Sequence, residues 1–193
     1  MKTLFSALCT TLVALFLIFA LPASGEERVY ADTLRLHVLA ASDDTADQTA
    51  KLLVRDAVLS TYGDAFLCAE SKAEAVSYLS ARLPSIQETV ERTLKENGLD
   101  HAVTVALAEE WFDTRTYGEY TLPEGKYTAL KITLGEGKGQ NFWCMLYPAL
   151  CVAPAMGEKL PLNEAYDGAT YTLVTNGYAV RFRTLELISS LFG

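Results

Sequence analysis

Apolar and polar residues alternate along Thr33-Leu34-Arg35-Leu36-His37-Val38-Leu39-Ala40, with Leu34, Leu36 and Val38 on one side and Arg35, His37 and Leu39 on the other. A period of two predicts a β-strand. Ala41-Ser42-Asp43-Asp44 breaks it, and the beat then lengthens: Ala50, Leu53, Val54, Ala57 and Val58 recur at helical spacing and form one stripe. Asp44 suits the N-cap of this helix and Asp47 its first turn, where a carboxylate meets free N–H groups and the positive end of the helix dipole. Tyr62-Gly63-Asp64 is expected to end it, with Gly63 as a left-handed cap. The same beat resumes through Ala73, Val76, Leu79, Leu83, Ile86, Val90 and Leu94. Pro84 lacks a backbone donor, so residues 71–97 are expected as a kinked helix or as two helices, the second starting near Pro84.

The second half returns to period two. Val103, Val105 and Leu107 mark one strand; Thr128, Leu130, Ile132 and Leu134 mark another; Phe142–Tyr147 is a short aromatic one. Trp111–Lys126, with Gly118, Pro123 and Gly125, reads as a loop. Residues 148–169 read as irregular, Tyr171–Val174 as a short strand before the Asn176-Gly177 turn, and Phe182, Leu185, Ile188, Leu191 and Phe192 as a terminal helix. Residues 26–32 look like an exposed leader. Helices followed by strands predict an α+β domain over 26–193, with helices packed on one face of a mainly antiparallel sheet.

Residues 1–25 are of another kind. Lys2 is followed by an apolar run from Leu4 to Leu21, then Pro22, Ala23-Ser24-Gly25 and the acidic Glu26-Glu27. A positive start, an apolar stretch and small residues form an export signal, with cleavage expected after Gly25. The run is long enough for an uncleaved membrane anchor, since about 20 apolar residues span a bilayer; Pro22 and the small residues favour cleavage. Either way the remainder is expected across the membrane.

Removing 1–25 takes Lys2 from the 16 basic residues and no acid, leaving 15 against 24 acidic, a balance of −9. Such a surface repels phosphate backbones and anionic headgroups, so nucleic acid is not an expected partner. The remaining cysteines are Cys68, Cys144 and Cys151. Cys144 and Cys151, with Pro148 between them, are either a disulfide of an oxidising compartment or two buried thiols. No metal or cofactor is expected: a zinc site would need Cys68 and a distant histidine to converge with them.

Gly135-Glu136-Gly137-Lys138-Gly139-Gln140-Asn141 follows a strand, as a phosphate loop does, but Lys138 precedes Gly139 instead of Ser or Thr, and Phe142-Trp143 opens a strand where a helix is required. It is expected to be a turn, or an exposed loop that touches a protein partner. No G-x-S-x-G elbow is present. His37, Ser42 and Asp43 are close in sequence, but catalytic sets are defined by spatial roles. Glu109-Glu110 reads equally as a solvated strand end or an acid/base pair.

Four segments in order resemble the stage II sporulation protein R family. Arg35-Leu36-His37-Val38-Leu39-Ala40-Ala41-Ser42-Asp43 is similar to its Arg-Leu-His-Val-Ile-Ala-Asn-Ser-Asp opening. Asp47 to Val58 resembles the next segment, including Val54-Arg55-Asp56. Leu122-Pro123-Glu124-Gly125-Lys126-Tyr127-Thr128-Ala129-Leu130 resembles a Leu-Pro-x-Gly-x-Tyr-x-Ala-Leu element. Gly135 to Cys144 and Pro148-Ala149-Leu150-Cys151 resemble its long Gly-Glu-Gly to Pro-Pro-Leu-Cys signature. Ala41, Phe142 and Ala149 depart from it.

The resemblance implies a protein of endospore-forming bacteria, exported into the space between the two membranes around the forespore. There such proteins trigger a membrane-embedded aspartic protease that cleaves the precursor of the mother-cell sigma factor E. The implied role is that of an activator without bond-breaking chemistry of its own. The expected contact surface comprises Arg35, His37 and Asp43 at the strand-to-helix corner, with Lys138, Asn141 and Trp143. The plainer readings are an Arg35–Asp43 ion pair and a Trp143 belonging to the core. The competing function is an exported cell-wall-active hydrolase with His37 and the glycine loop lining a cleft.

Overall fold

The computed structural model describes residues 6, 9–14, 26–151 and 166–175. In chain order these give α1 (Glu26–Asp32), β1 (Leu34–Leu39), α2 (Thr45–Cys68), α3 (Lys72–Ser80), α4 (Leu83–Glu96), β2 (Val103–Phe112), β3 (Arg115–Tyr117), β4 (Tyr120–Leu122), β5 (Gly125–Leu134), β6 (Asn141–Tyr147) and α5 (Gly168–Thr175). Four strands make one sheet in the order β2-β5-β1-β6, and β3-β4 is a separate hairpin. β1 runs parallel to β5 and antiparallel to β6, and β2 runs antiparallel to β5. The fold is α+β with a mainly antiparallel sheet, as the order of periodicities implies.

The alternation of β1 decides what covers each face. Leu34, Leu36 and Val38, with Leu130, Ile132 and Leu134 of β5, are buried against Val54, Val58 and Phe66 of α2, Leu79 of α3, and Ile86, Val90 and Leu94 of α4. Each such side chain contributes about 1.5–3 kcal/mol on leaving water. The three longer helices thus share one face. The opposite face carries a smaller cluster: Val29 of α1, Phe112, Leu122, Tyr127, Ala129, Met145, Tyr166 and Val174 of α5.

Several expectations are corrected. Residues 26–32 form a helix, not a leader, because Val29 is fully buried in the second cluster. Gly63 does not cap α2, which continues to Cys68 and buries Phe66; packing of that last turn outweighs the glycine's helix cost of about 1 kcal/mol. The segment read as a loop extends β2 to Phe112 and contains the β3-β4 hairpin, turning at Gly118 with φ 60°. Tyr171–Val174 is helical, not extended: Asp167 accepts a hydrogen bond from the Thr170 backbone N–H at 2.8 Å and starts α5. Its alternating β-branched residues imitate a strand. Pro84 stands at the start of α4, giving two helices. Most of the predicted export segment and the expected terminal helix lie outside the described residues. No described helix is long and apolar enough to cross a membrane.

Candidate functional site

The glycine loop closes on the corner between β1 and α2. Gly139 and Lys138 donate backbone hydrogen bonds to Ala40 and Ala41 carbonyls at 2.9 and 3.3 Å. The Asp43 carboxylate accepts from the Gln140 N–H at 2.7 Å. A Cβ on Gly139 would lie 2.1 Å from the Ser42 carbonyl oxygen, so only glycine allows this approach. Lys51, whose pKa is lowered by burial, donates to the Gln140 carbonyl at 3.0 Å. Behind the corner, Ser42 Oγ donates to Asp47 at 2.7 Å and His101 Nε2 contacts its other oxygen at 2.7 Å. The Ser42 bond, with His101 adding to it, holds the Asp47 carboxyl below its ordinary value. The loop is therefore a clasp for the corner, not a phosphate cradle.

On the second sheet face Arg35 is fully buried. Its Nη2 donates to the Tyr117 hydroxyl at 2.5 Å, while its guanidinium lies over Phe112 at 4.1 Å and Tyr127 at 4.9 Å. Nε and Nη1 have no partner, and no carboxylate pairs with it among the described residues. Burial lowers its pKa, opposed by the nearby phenols of Tyr117 and Tyr127. Aromatic faces attract a cation by about 0.5–2 kcal/mol each. That is partial compensation for an ion withdrawn from water.

One pleat along β1, His37 is 4% exposed. Nδ1 lies 2.5 Å from Glu110, whose other oxygen pairs with Lys131, and the ring stacks on Trp143 at 3.7 Å between centroids. Burial, only partly opposed by Glu110, lowers the His37 pKa. Neutral imidazole then donates Nδ1–H to Glu110. Burial favours the protonated carboxyl of Glu110, but bonds from His37 and Lys131 prevail and hold it below its ordinary value. Carboxylate and imidazole in this order leave Nε2 a base, as in hydrolytic triads. The Asn141 side chain also interacts with the imidazole, in the sense that raises its pKa, but Nε2 is buried without a well-formed hydrogen bond, and no hydroxyl or thiol meets it among the described residues.

A cavity of about 580 Å³ opens between α2, the β3-β4 hairpin and β6, lined by Leu59, Tyr117, Tyr120, Phe142, Leu150 and the Cys144–Cys151 pair. The two cysteines are joined as a disulfide with Cα atoms 6.2 Å apart, a normal span. Cys68 is free and exposed.

The six expected contact residues thus divide. Asp43 and Lys138 both lie at the clasp, Asp43 bonded to the Gln140 N–H and Lys138 paired with Glu136 at 2.5 Å, the Lys138 and Glu136 side chains being about three-quarters exposed. His37 and Trp143 stack on the sheet, with the exposed Asn141 on the same strand. Arg35 is interior and makes no pair with Asp43, so the plain ion-pair reading gives way to an aromatic cage. Sequence reasoning missed Lys131, Phe112, Tyr117 and Tyr127 and left the role of Glu110 open. A charged residue in an apolar strand, such as Lys131, was the available signal.

Residues 30–156 match the family model described as stage II sporulation protein R. The stage II sporulation protein R of Bacillus subtilis (strain 168) is 36% identical over 118 residues, which make up 61% of this chain and 53% of that protein. The chain therefore spans about half the length of this curated relative. No solved structure matches. The family match takes in all four strands of the main sheet, the helical layer and the glycine clasp, and the chain belongs to the stage II sporulation protein R family.

Proposed function

We propose that this sporulation protein is an exported signal that binds the outer side of a membrane-embedded aspartic protease and switches it on to process the sigma factor E precursor. The observation that carries this reading is the family match over residues 30–156, which includes both the Arg35-Leu36-His37 strand and the Gly135–Cys151 region. The apolar run behind Lys2 supports export, and the acidic balance supports a protein partner over nucleic acid. An activator shifts a partner only by its differential affinity for the two states. Moving an equilibrium from 1:99 to 99:1 requires about 5.5 kcal/mol of such preference. A rigid clasp presenting Asp43, Lys138 and Asn141 limits the ordering cost that would erode it. Arg35, His37 and Trp143 act from within by setting the shape of the strands that carry this surface.

The direct test adds the purified chain to vesicles holding the protease and its precursor substrate. Cleavage that starts only with the chain present is expected; an unchanged precursor across a full titration removes the proposal. A second reading, hydrolysis of cell wall, draws on the His37–Glu110 pair, whose buried Nε2 would have to be uncovered before it could act on a wall polymer. It requires purified chain to release soluble fragments from peptidoglycan, and His37→Gln to abolish that release.

A further inference from the structure

We infer that the outer edge of β6 and the cavity beside it form a groove that takes a short extended segment of the partner as an added strand. The inference deepens the protease-activator reading and rests on it.

The edge is defined by Met145. Its N–H lies 3.2 Å from Cys151 Sγ, and its carbonyl accepts from the Cys151 N–H at 3.3 Å. Both groups therefore point away from β1. Residues two apart in a strand present their backbone groups to the same side. Those of Trp143 and Asn141 consequently face outward as well, and among the described residues no hydrogen bond closes them. Among the described residues β6 is the last strand of the sheet on this side. An open edge of this kind is a template for another strand, limited here to the Asn141–Trp143 stretch because the disulfide loop already occupies Met145.

Side chains alternate with this edge. Phe142 and Cys144 turn towards α2 and line the cavity with Tyr117, Tyr120, Leu59 and Leu150. Its volume of about 580 Å³ lies within the range of pockets that take a ligand. Open backbone beside an apolar pocket is the combination by which strand addition obtains affinity from the main chain and selectivity from alternate side chains.

Charge selects the occupant. At the rim Arg55 is spent: its guanidinium lies over Phe142 at 4.9 Å and pairs with Asp56 at 2.7 Å. Glu119 stands exposed beside it without an ion pair among the described residues, and the chain carries 24 acidic against 16 basic residues. The complementary segment is extended, places one or two large apolar side chains in the cavity, and has a Lys or Arg beside them. On the protease this is an extracytoplasmic stretch.

The test uses the full chain and the protease in vesicles. A photoreactive benzoylphenylalanine replaces Tyr120, and cross-linked peptides are sequenced. Capture of an extracytoplasmic segment of the protease is expected. Capture of this chain's own residues 176–193, or of a second copy, would overturn the inference by giving the groove another occupant. Asn141→Pro removes an outward N–H, and Leu150→Trp fills the cavity; each is expected to raise the concentration for half-maximal precursor cleavage about tenfold, the effect of one interface hot spot. The two variants guard each other against misfolding, which melting curves report. Wild-type response from both, with the unmodified chain active, overturns the groove alone. Failure of the unmodified chain to start cleavage removes the activator reading and the groove with it.

Discussion

The two faces of one sheet are built in different ways. On the helical side, Leu34, Leu36 and Val38 meet a predominantly apolar layer, and stability comes from area removed from water. On the other side, the residues between them in β1 are a buried arginine held by rings and a buried histidine held by a carboxylate. The first face is cheap to specify, since many apolar combinations of similar volume would fill it. The second is expensive, because each buried polar group must find its partner or remain a cost. Residues that cost stability are retained for a shape or an interaction, which makes the second face the informative one.

Neighbouring positions of β1 sharpen the contrast. Leu36→Ala is expected to cost about 2–5 kcal/mol, measured by denaturant unfolding, because it leaves a void under α2. A loss below about 1 kcal/mol would mean that the helical layer is loosely packed. Arg35→Met should act in the opposite direction. Trading a desolvated cation for an apolar chain of similar length is expected to raise stability by about 1–3 kcal/mol, by analogy with replaced buried ion pairs. Marked destabilisation would show that the aromatic cage more than repays the lost hydration. In the protease assay the same variant is expected to lose activation while gaining stability.

That contrast was half legible in the residues. The period of β1 was sufficient to place Leu34, Leu36 and Val38 together, and the stripe of α2 named what covers them. Arg35 and His37 were assigned to one face, but a polar face of a strand is ordinarily solvated. Here α1, α5 and the β3-β4 hairpin add cover to it, and these were the elements misread: α1 has only seven residues, and α5 places β-branched Thr170, Thr172 and Val174 at alternate positions. Glu110 was noticed as an acid, yet its bond to His37 spans 73 residues and exists only through the β2-β5-β1 register. Pairing across a sheet is non-local, and periodicity within a segment carries no register.

Two smaller effects probe the second face further. The Tyr127 hydroxyl is buried and donates to the Pro123 carbonyl at 2.7 Å. Tyr127→Phe should cost about 1 kcal/mol in unfolding experiments, the usual worth of one hydrogen bond. No loss would show that this carbonyl finds another donor. The smallest expected effect is a slope with pH. Burial holds the His37 pKa below 6.5, so the unfolded chain binds the proton first as acid is added. Stability from this residue is complete above about pH 6.5 and falls as pH drops towards the folded value. Glu110, held below 4.5, adds a loss in the same direction at lower pH. His37→Phe should flatten the slope just below about pH 6.5 while leaving the steeper fall at lower pH. An unchanged slope would assign it to other groups.

The central place of β1 has a consequence for the chain's birth. Its two neighbours are residues 128–133 and 141–147, so Leu34 cannot be seated between Thr128 and Tyr147 until some hundred intervening residues have emerged from the ribosome. Contacts this distant in sequence are slow to close. The leading part of the polypeptide therefore has no finished sheet to collapse onto while it is being made, and a thread kept open in that way is in the form that a narrow translocation channel can pass.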